Sequence, residues 1–230
     1  MGFFDVATAT VTTILRGGLG LNTGAVGARP EKTLILYEFE GCPFCRKARE
    51  ALSILDLEAE IRPCPKRGHR FRDELVERGG KAQFPYLVDP NTGAEMYESA
   101  DIVDYLYREY GSGPAPVMLG GSAPATFAVA LSGLGRGPAG SFVRASKAPE
   151  RPLELYSFEA SPFCRLVRER LCELELPYHL HNVARGSAAR EAFTRRSGKM
   201  QVPYLVDPNT GVEMFESADI LAYLDETYGA

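Results

Sequence analysis

The apolar positions of this chain switch repeatedly between two periods. "TLILYEF" (33–39) is a short apolar run bounded by charge and glycine, which predicts a buried strand. Beyond it Cys45, Ala48, Leu52 and Leu55 recur at helical spacing, and "EAEIRP" (58–63) predicts a second strand. "RFRDELVERGG" (70–80) predicts a helix stopped by its glycines. "PYLV" and "AEMYE" flank the turn-rich "DPNTG" and predict a hairpin. Ser99 stands where an N-cap oxygen belongs, ahead of the helix "ADIVDYLYREY".

The same pattern returns later. "ILYEFEGCPFC" matches "ELYSFEASPFC", and "QFPYLVDPNTGAEMYESADIVDYL" matches "QVPYLVDPNTGVEMFESADILAYL". The offset shortens by one residue between these blocks, so a single deletion separates two copies of one unit, residues 31–111 and 150–230. In the second copy Cys164, Val167, Leu171 and Leu174 carry the helical spacing. The order β-α-β-α-β-β-α places a parallel first pair and an antiparallel hairpin in a mixed four-stranded sheet with helices on both faces. The expected fold is α/β, two tandem thioredoxin-like domains. Residues 1–30 read as an N-terminal extension, and 112–149, rich in Gly, Ala, Pro and Ser, as a linker. "PATFAVALSGLG" (124–135) reads as a short helix in that linker. It echoes "TVTTILRGGLG" (10–20), as though each unit had a leading helix.

Composition narrows the function classes. The 230 residues suffice for two small domains. Net charge is −4 with both signs interspersed, so no nucleic-acid partner is expected; "KRGHRFR" (66–72) reads as a solvated loop and helix face. Five cysteines with no export signal argue against a disulfide framework and for a reducing compartment, the cytoplasm. Residues 1–30 hold one acid and two arginines, which leaves an organelle-targeting remnant as the alternative, the plastid stroma included. The threonine-broken apolar stretch near the start predicts no membrane span.

The chemistry concentrates in "GCPFC". A strand followed by a helix puts Cys42 at the helix's amino end, where unpaired N–H groups and the dipole favour a thiolate. Cys45, one turn further in, is shielded until a mixed disulfide forms on Cys42 and is then close enough to resolve it. Pro43 suits the first helical turn. The bland alternative is two small buried residues at a helix start. No second cysteine pair or matching histidines are present, so no metal is expected. Pro85 opens a strand; a cis Phe84–Pro85 bond would turn the Phe84 backbone toward Cys42, where a thiol peptide could pair as an added strand. The N–H groups after Ser99 suit a carboxylate and Glu98 an ammonium, and Glu216 and Ser217 repeat the pair. Cys64 and Cys172 read as packing residues, with Cys64 also open to a peripheral redox role. His69 has no identifiable partner, and His179 and His181 read as half-buried strand residues.

These elements together resemble the glutaredoxin and glutathione-transferase N-terminal families. "CPFC" followed by a basic residue looks like the glutaredoxin active site, and also like omega-class transferases and prostaglandin E synthase type two. "VPYL…ES" looks like the transferase form of the glutathione site, and "SPFCRLVRERL" like serine-type tau-class transferases. The tandem is similar to paired glutaredoxin-like proteins of plants and phototrophs, which makes the expected domains glutaredoxin-type. By position, the resemblance implies Cys42 as nucleophile and Cys45 as resolving thiol. Phe84 and Pro85 would hold the cysteinyl part of glutathione, and Glu98 with Ser99 the γ-glutamyl part. Ser161, Cys164, Val202, Pro203, Glu216 and Ser217 occupy the matching places in the second unit, where the attacking sulfur is gone. The implied activity is glutathione-dependent thiol–disulfide exchange on protein or small-molecule disulfides. Alternatives are a transferase-like use of Ser161 and a non-enzymatic redox-linked interaction module; homodimerisation stays open. Two departures matter. Complete transferases carry a large helical domain that this chain lacks after Tyr110 and Tyr228, and Glu38 and Glu40 stand where glutaredoxins place a lysine. Acids there are expected to raise the Cys42 pKa.

Overall fold

The computed structural model describes residues 2–24, 26–122 and 136–230. In the first unit the chain runs β1 (Leu34–Glu38), α2 (Pro43–Ile54), β2 (Ala59–Pro63), α3 (Arg72–Gly79), β3 (Tyr86–Asp89), β4 (Ala94–Met96) and α4 (Ser99–Tyr110). The second repeats it as β5 (Leu153–Ser157), α5 (Pro162–Glu173), β6 (Tyr178–Asn182), α6 (Ala189–Ser197), β7 (Tyr204–Asp207), β8 (Val212–Phe215) and α7 (Ser217–Tyr228). A helix α1 (Phe3–Leu15) precedes both. The helix read over 124–135 lies outside the described residues.

Within each unit the pairing follows the expected pattern: β1 is parallel to β2 and antiparallel to β3, and β3 pairs with β4. The two sheets then merge. β2 and β6 pair antiparallel, Ala59 with Leu180 and Ile61 with Tyr178, giving one eight-stranded sheet in the order β4-β3-β1-β2-β6-β5-β7-β8. In either unit alone β2 or β6 would be an open edge with unpaired N–H and C=O groups. Joining the two closes both edges and buries Ala59, Ile61, Tyr178 and Leu180.

The segments ahead of each unit cross this seam. α1 packs against α5 of the second unit, and Thr13 donates a hydrogen bond to the Ala160 carbonyl at 3.1 Å. Thr23 N–H then donates to Arg185 O at 2.8 Å, while in the other half Lys66 N–H donates to Ser141 O at 2.7 Å. The duplication therefore extends upstream of the two units, in a register different from the sequence reading: Arg16 matches Arg136 and Gly20 matches Gly140. The glycines are required. Both have positive φ, and a Cβ on Gly20 would lie 2.9 Å from the Glu159 Cβ, as one on Gly140 would from the Glu40 Cβ. Residues 136–143, read as linker, are thus part of the seam.

The "DPNTG" turn anchors each hairpin to its last helix. Asp89 accepts from Tyr105 Oη at 2.7 Å, Tyr110 Oη and Asn91 N–H, and Asp207 accepts from Tyr223 and Tyr228, each at 2.6 Å. Burial opposes ionisation of Asp89, but the hydroxyls of Tyr110 and Tyr105 outweigh it and hold the carboxyl below its ordinary 3.8; Asp207 behaves alike. A carboxylate with a depressed folded pKa stabilises the fold above its unfolded value and loses that contribution as pH falls through the folded value. Urea titrations from pH 6 to 2 are expected to show stability falling below about pH 4. In Asp89→Asn that fall should be shallower.

Candidate functional site

The site grows from the corner between β1 and α2. Cys42 is the N-cap of α2, its sulfur accepting from the Cys45 N–H at 3.3 Å, with Pro43 in the first helical turn. In the second unit Ser161 Oγ accepts from Cys164 N–H at 3.3 Å. Serine preserves the cap and removes the sulfur, so the exchange changes chemistry at no cost to the local fold. All five cysteines are free thiols.

The two sulfurs of the first unit are driven apart in acidity. The hydrogen bond with the Cys45 thiol, those from the Cys45 and Phe44 N–H groups, and the Arg49 charge hold Cys42 below the ordinary thiol value, against the effect of burial. Burial, reinforced by the bond to Cys42, pushes Cys45 well above it. Both cysteines are buried, Cys42 with 5 % of its surface exposed and Cys45 with none. Cys64 and Cys172 are buried and pushed well up by desolvation, so the peripheral redox role open to Cys64 is not supported.

The proline loop faces this corner. The Phe84–Pro85 and Val202–Pro203 bonds are both cis. Tyr37 pairs with Tyr86, so continuing the antiparallel register sets Pro85 across from Glu38 and Phe84 across from Phe39. The Phe39 and Phe84 rings meet edge-on with centroids 5.9 Å apart. Phe39 O in turn accepts the Cys42 N–H at 2.9 Å.

The Glu–Ser pair differs from the sequence reading. The cap position of α4 belongs to Glu98, and Ser99 is the first helical residue; Glu216 and Ser217 repeat this in α7. Both glutamates have φ of 66°, a left-handed conformation that costs a non-glycine residue about 1–3 kcal/mol. Each is tied by the preceding glutamine, Gln83 to Glu98 and Gln201 to Glu216. In the second unit Phe163, Gln201, Val202, Pro203, Glu216 and Ser217 line one cleft of about 280 Å³. Phe163 stands two residues after Ser161, which links the cleft to the helix start, whereas Cys164 is turned wholly into the core. Gln201 and Phe163, which line this cleft, and their counterparts Gln83 and Phe44 in the first unit are further candidates that the sequence reading passed over. The signal was their recurrence at matching places in both copies.

Beneath the corner lies a buried charged seam. Arg49 donates to Glu38 and, across the seam, to Glu159 Oε2 at 3.1 Å; Arg168 reaches back to Glu40, at 3.1 Å through both Nε and Nη2, and to Glu159 at 2.9 Å. These five side chains are essentially inaccessible to solvent. The expected rise of the Cys42 pKa by Glu38 and Glu40 is therefore overturned, because Arg49 and Arg168 take up the acidic charge and Arg49 favours the thiolate. Two histidine readings are refined: His69 pairs with Asp73 at 3.3 Å, and His181 stacks on Tyr156 and contacts Glu58 at 3.1 Å. The basic run is only partly solvated, since Arg70 crosses the seam to Glu175 O at 2.6 Å. Among the described residues no cluster of three or more His, Cys, Asp or Glu is arranged for a metal ion, and no helix is long and apolar enough to cross a membrane.

Fold and site together define a tandem of thioredoxin-like units, each presenting a cis-proline loop to a capped helix start. The glutathione S-transferase N-terminal domain profile matches residues 36–115 and 155–230, and the chain belongs to that family. A glutathione S-transferase-like protein, OpS6, of Beauveria bassiana is 33 % identical over 78 residues, 34 % of this chain and 36 % of that protein. The chain thus matches about a third of that relative's length. The solved structure of Leishmania TDR1, a trimeric glutathione transferase, is 15 % identical with a TM-score of 0.30, covering 86 % of this chain and 68 % of that one.

Proposed function

We propose that the first unit is a glutathione-dependent thiol–disulfide oxidoreductase and that the second binds glutathione without redox turnover. The observation that carries the reading is the split sulfur pair: a Cys42 on a helix cap whose thiol is held below its ordinary pKa, and a Cys45 one turn on, wholly buried, whose thiol is pushed well above it. Cys42 thiolate attacks the sulfur of a protein–glutathione mixed disulfide. A bond forms to glutathione and the protein thiolate leaves. A second glutathione thiolate, or Cys45, then displaces the bound glutathione. Phe84 and Pro85 align its cysteinyl backbone, and Glu98 with the N–H groups of α4 takes its γ-glutamyl end.

The cleft of the second unit favours binding there, with Ser161 unable to form a disulfide. Transferase-like activation of a glutathione thiol by Ser161 is the competing reading of the same cleft.

Mass spectrometry after treatment with oxidised glutathione tests the first claim. Glutathione on Cys42, or a Cys42–Cys45 bond, is expected; a first unit left wholly reduced would overturn it. Calorimetric titration of full-length Cys42→Ser with reduced glutathione tests the second. Heat from both units is expected, and adding Glu216→Ala should remove the second unit's share. Conjugation of a generic electrophile by Cys42→Ser with the second cleft intact would favour the transferase reading instead.

A further inference from the structure

The loops after β2 and β6 share a backbone and differ in side chains. Lys66 bridges in parallel to Phe142, its N–H on Ser141 O at 2.7 Å and its carbonyl taking the Val143 N–H at 3.0 Å. Arg185 bridges in the same way to Asn22, its N–H on Leu21 O at 2.9 Å and its carbonyl taking the Thr23 N–H at 2.8 Å. Each loop then closes one turn, Gly68 N–H donating to Pro65 O and Ser187 N–H to Ala184 O, both at 3.0 Å. Phe142 thus stands where the other half has Asn22, and Arg67 where it has Gly186. Both turn residues are left-handed, with φ of 65° at Arg67 and 90° at Gly186. Glycine takes that conformation freely, whereas an arginine holds it only at a cost in strain. The turn itself does not require the arginine, since the second unit makes it with glycine.

The strained position puts Arg67 on an exposed ring. Phe142 is 40 % exposed, with Lys66 Nζ 5.5 Å and the Arg67 guanidinium 5.7 Å from its ring centroid. Both cations are exposed, and among the described residues neither enters an ion pair. The acids beside this run are engaged elsewhere, Glu175 with the Arg70 N–H and Asp73 with His69. Two unneutralised cations are therefore held on an aromatic face, in a chain whose net charge is −4. The patch adjoins the sulfur corner. Gly41 N–H donates to Gly140 O at 3.0 Å, and Ser141 Oγ leaves no room for a Cβ on Gly41. Residues 140 and 141 thus lie against the residue before Cys42, and Phe142 comes next. The unit that keeps the attacking sulfur has the patch; the unit with Ser161 lacks its ring and its second cation.

We propose that Lys66, Arg67 and Phe142 dock the polypeptide part of the substrate, a segment with acidic and apolar side chains flanking its disulfide-bearing cysteine. This rests on the thiol–disulfide reading above and names its substrate class. Carboxylates of the segment pair with Lys66 and Arg67, and an apolar side chain packs on the open part of the Phe142 ring. Docking holds the mixed disulfide beside Cys42, whose thiolate attacks the glutathione sulfur while the docked polypeptide leaves as its thiolate. A polypeptide fits this place better than a nucleic acid, because it brings a disulfide to the neighbouring thiol. Charge pairs at the rim of an interface speed encounter and select partners without touching the bond-making step. The effect therefore falls on KM and not on kcat.

The test gives the full chain three glutathione mixed disulfides. One is on a peptide with aspartates and a phenylalanine flanking its cysteine, one on the same peptide with lysines for the aspartates, and one on 2-mercaptoethanol. The parent is expected to prefer the acidic peptide roughly tenfold in kcat/KM, the scale of a few exposed ion pairs. That preference should vanish as ionic strength rises from about 0.01 M to about 1 M, where the screening length falls from about 30 Å to about 3 Å. Arg67→Gly combined with Phe142→Asn copies the residues with which the second unit folds. It should raise KM for the acidic peptide roughly tenfold, with kcat and turnover of the small disulfide unchanged. Lys66→Gln acts on the patch without touching the left-handed turn and should lose part of the same preference. Equal kcat/KM for the two peptides in the parent, with the small disulfide turned over, would overturn the proposal and leave the thiol–disulfide reading intact. So would a variant whose KM rises equally for the small disulfide, since the patch would then serve the glutathione part. Failure of the parent to turn over the small disulfide would overturn both.

Discussion

Cys42→Ser is expected to lose reduction of a glutathione mixed disulfide down to the uncatalysed background. The expected loss is on the order of 10⁴-fold or more, as when enzymes lose a covalent nucleophile. A hydroxyl at the same cap cannot ionise near neutrality, and oxygen does not enter disulfide exchange. The fold should hardly notice. Ser161 already makes the equivalent cap bond at 3.3 Å in the second unit, so the change in urea midpoint should correspond to less than about 1 kcal/mol. Loss of rate with retained stability separates a chemical role for the sulfur from a packing role. Cys45→Ser should behave differently, still taking up glutathione on Cys42 and passing it to a second glutathione. A coupled assay with a small glutathione mixed disulfide reads both. Wild-type turnover in Cys42→Ser would mean that another group does the chemistry.

Arg49→Leu is expected to be the most damaging single change to stability. Arg49 is buried, and Glu38, Glu40 and Glu159 share it. Removing it takes the ion-pair partner from Glu38 and leaves Glu40 and Glu159 to Arg168, with Arg165 at 3.9 Å from Glu40 and Arg46 at 3.7 Å from Glu159. Breaking a buried ion pair from one side typically costs about 3–5 kcal/mol, a large fraction of the about 5–15 kcal/mol that holds a domain together. The intact seam is weaker evidence of stability than that loss suggests, because desolvating its charges offsets much of their attraction. Urea unfolding of Arg49→Leu should therefore show a strongly lowered midpoint. Combining it with Glu38→Gln and Glu159→Gln should recover part of the loss, since fewer buried charges then lack a partner. A midpoint unchanged in Arg49→Leu would mean that water reaches the seam.

The residues that make each unit were largely readable in advance. Strand periodicity around Leu34 and Leu36, the "DPNTG" turn, and the strand–helix corner at Cys42 are local features, and their physics is local too. The joining of the units was not readable, because a β2 that pairs across a seam and a β2 left at an edge present the same alternation. The charged residues of α2 mislead for a similar reason. Arg46, Arg49 and Glu50 look like a solvated helix face, yet all three are buried, Arg46 and Arg49 against Glu159 more than a hundred residues away and Glu50 against Arg16. A signal was present in the duplication. Glu40, Arg46, Arg49 and Glu50 recur as Glu159, Arg165, Arg168 and Glu169, although the neighbouring Lys47 becomes Leu166. Charges held through a duplication on a helix face mark a pairing surface. The cap at Ser99 was misplaced by one residue because the left-handed turn at Glu98, unusual for a non-glycine, has no sequence signature.

Thiol–disulfide exchange at this corner requires that the Cys42 sulfur be acidic and reachable in the folded chain while its four companions are neither. Alkylation by iodoacetamide across pH, read cysteine by cysteine in peptide mass spectra, measures this directly. Cys42 should react first, with a midpoint below the ordinary thiol value of 9.0, while Cys45, Cys64, Cys164 and Cys172 stay unmodified until the chain unfolds. A Cys42 that is inert in the folded protein, or that titrates at or above that value, would contradict the account.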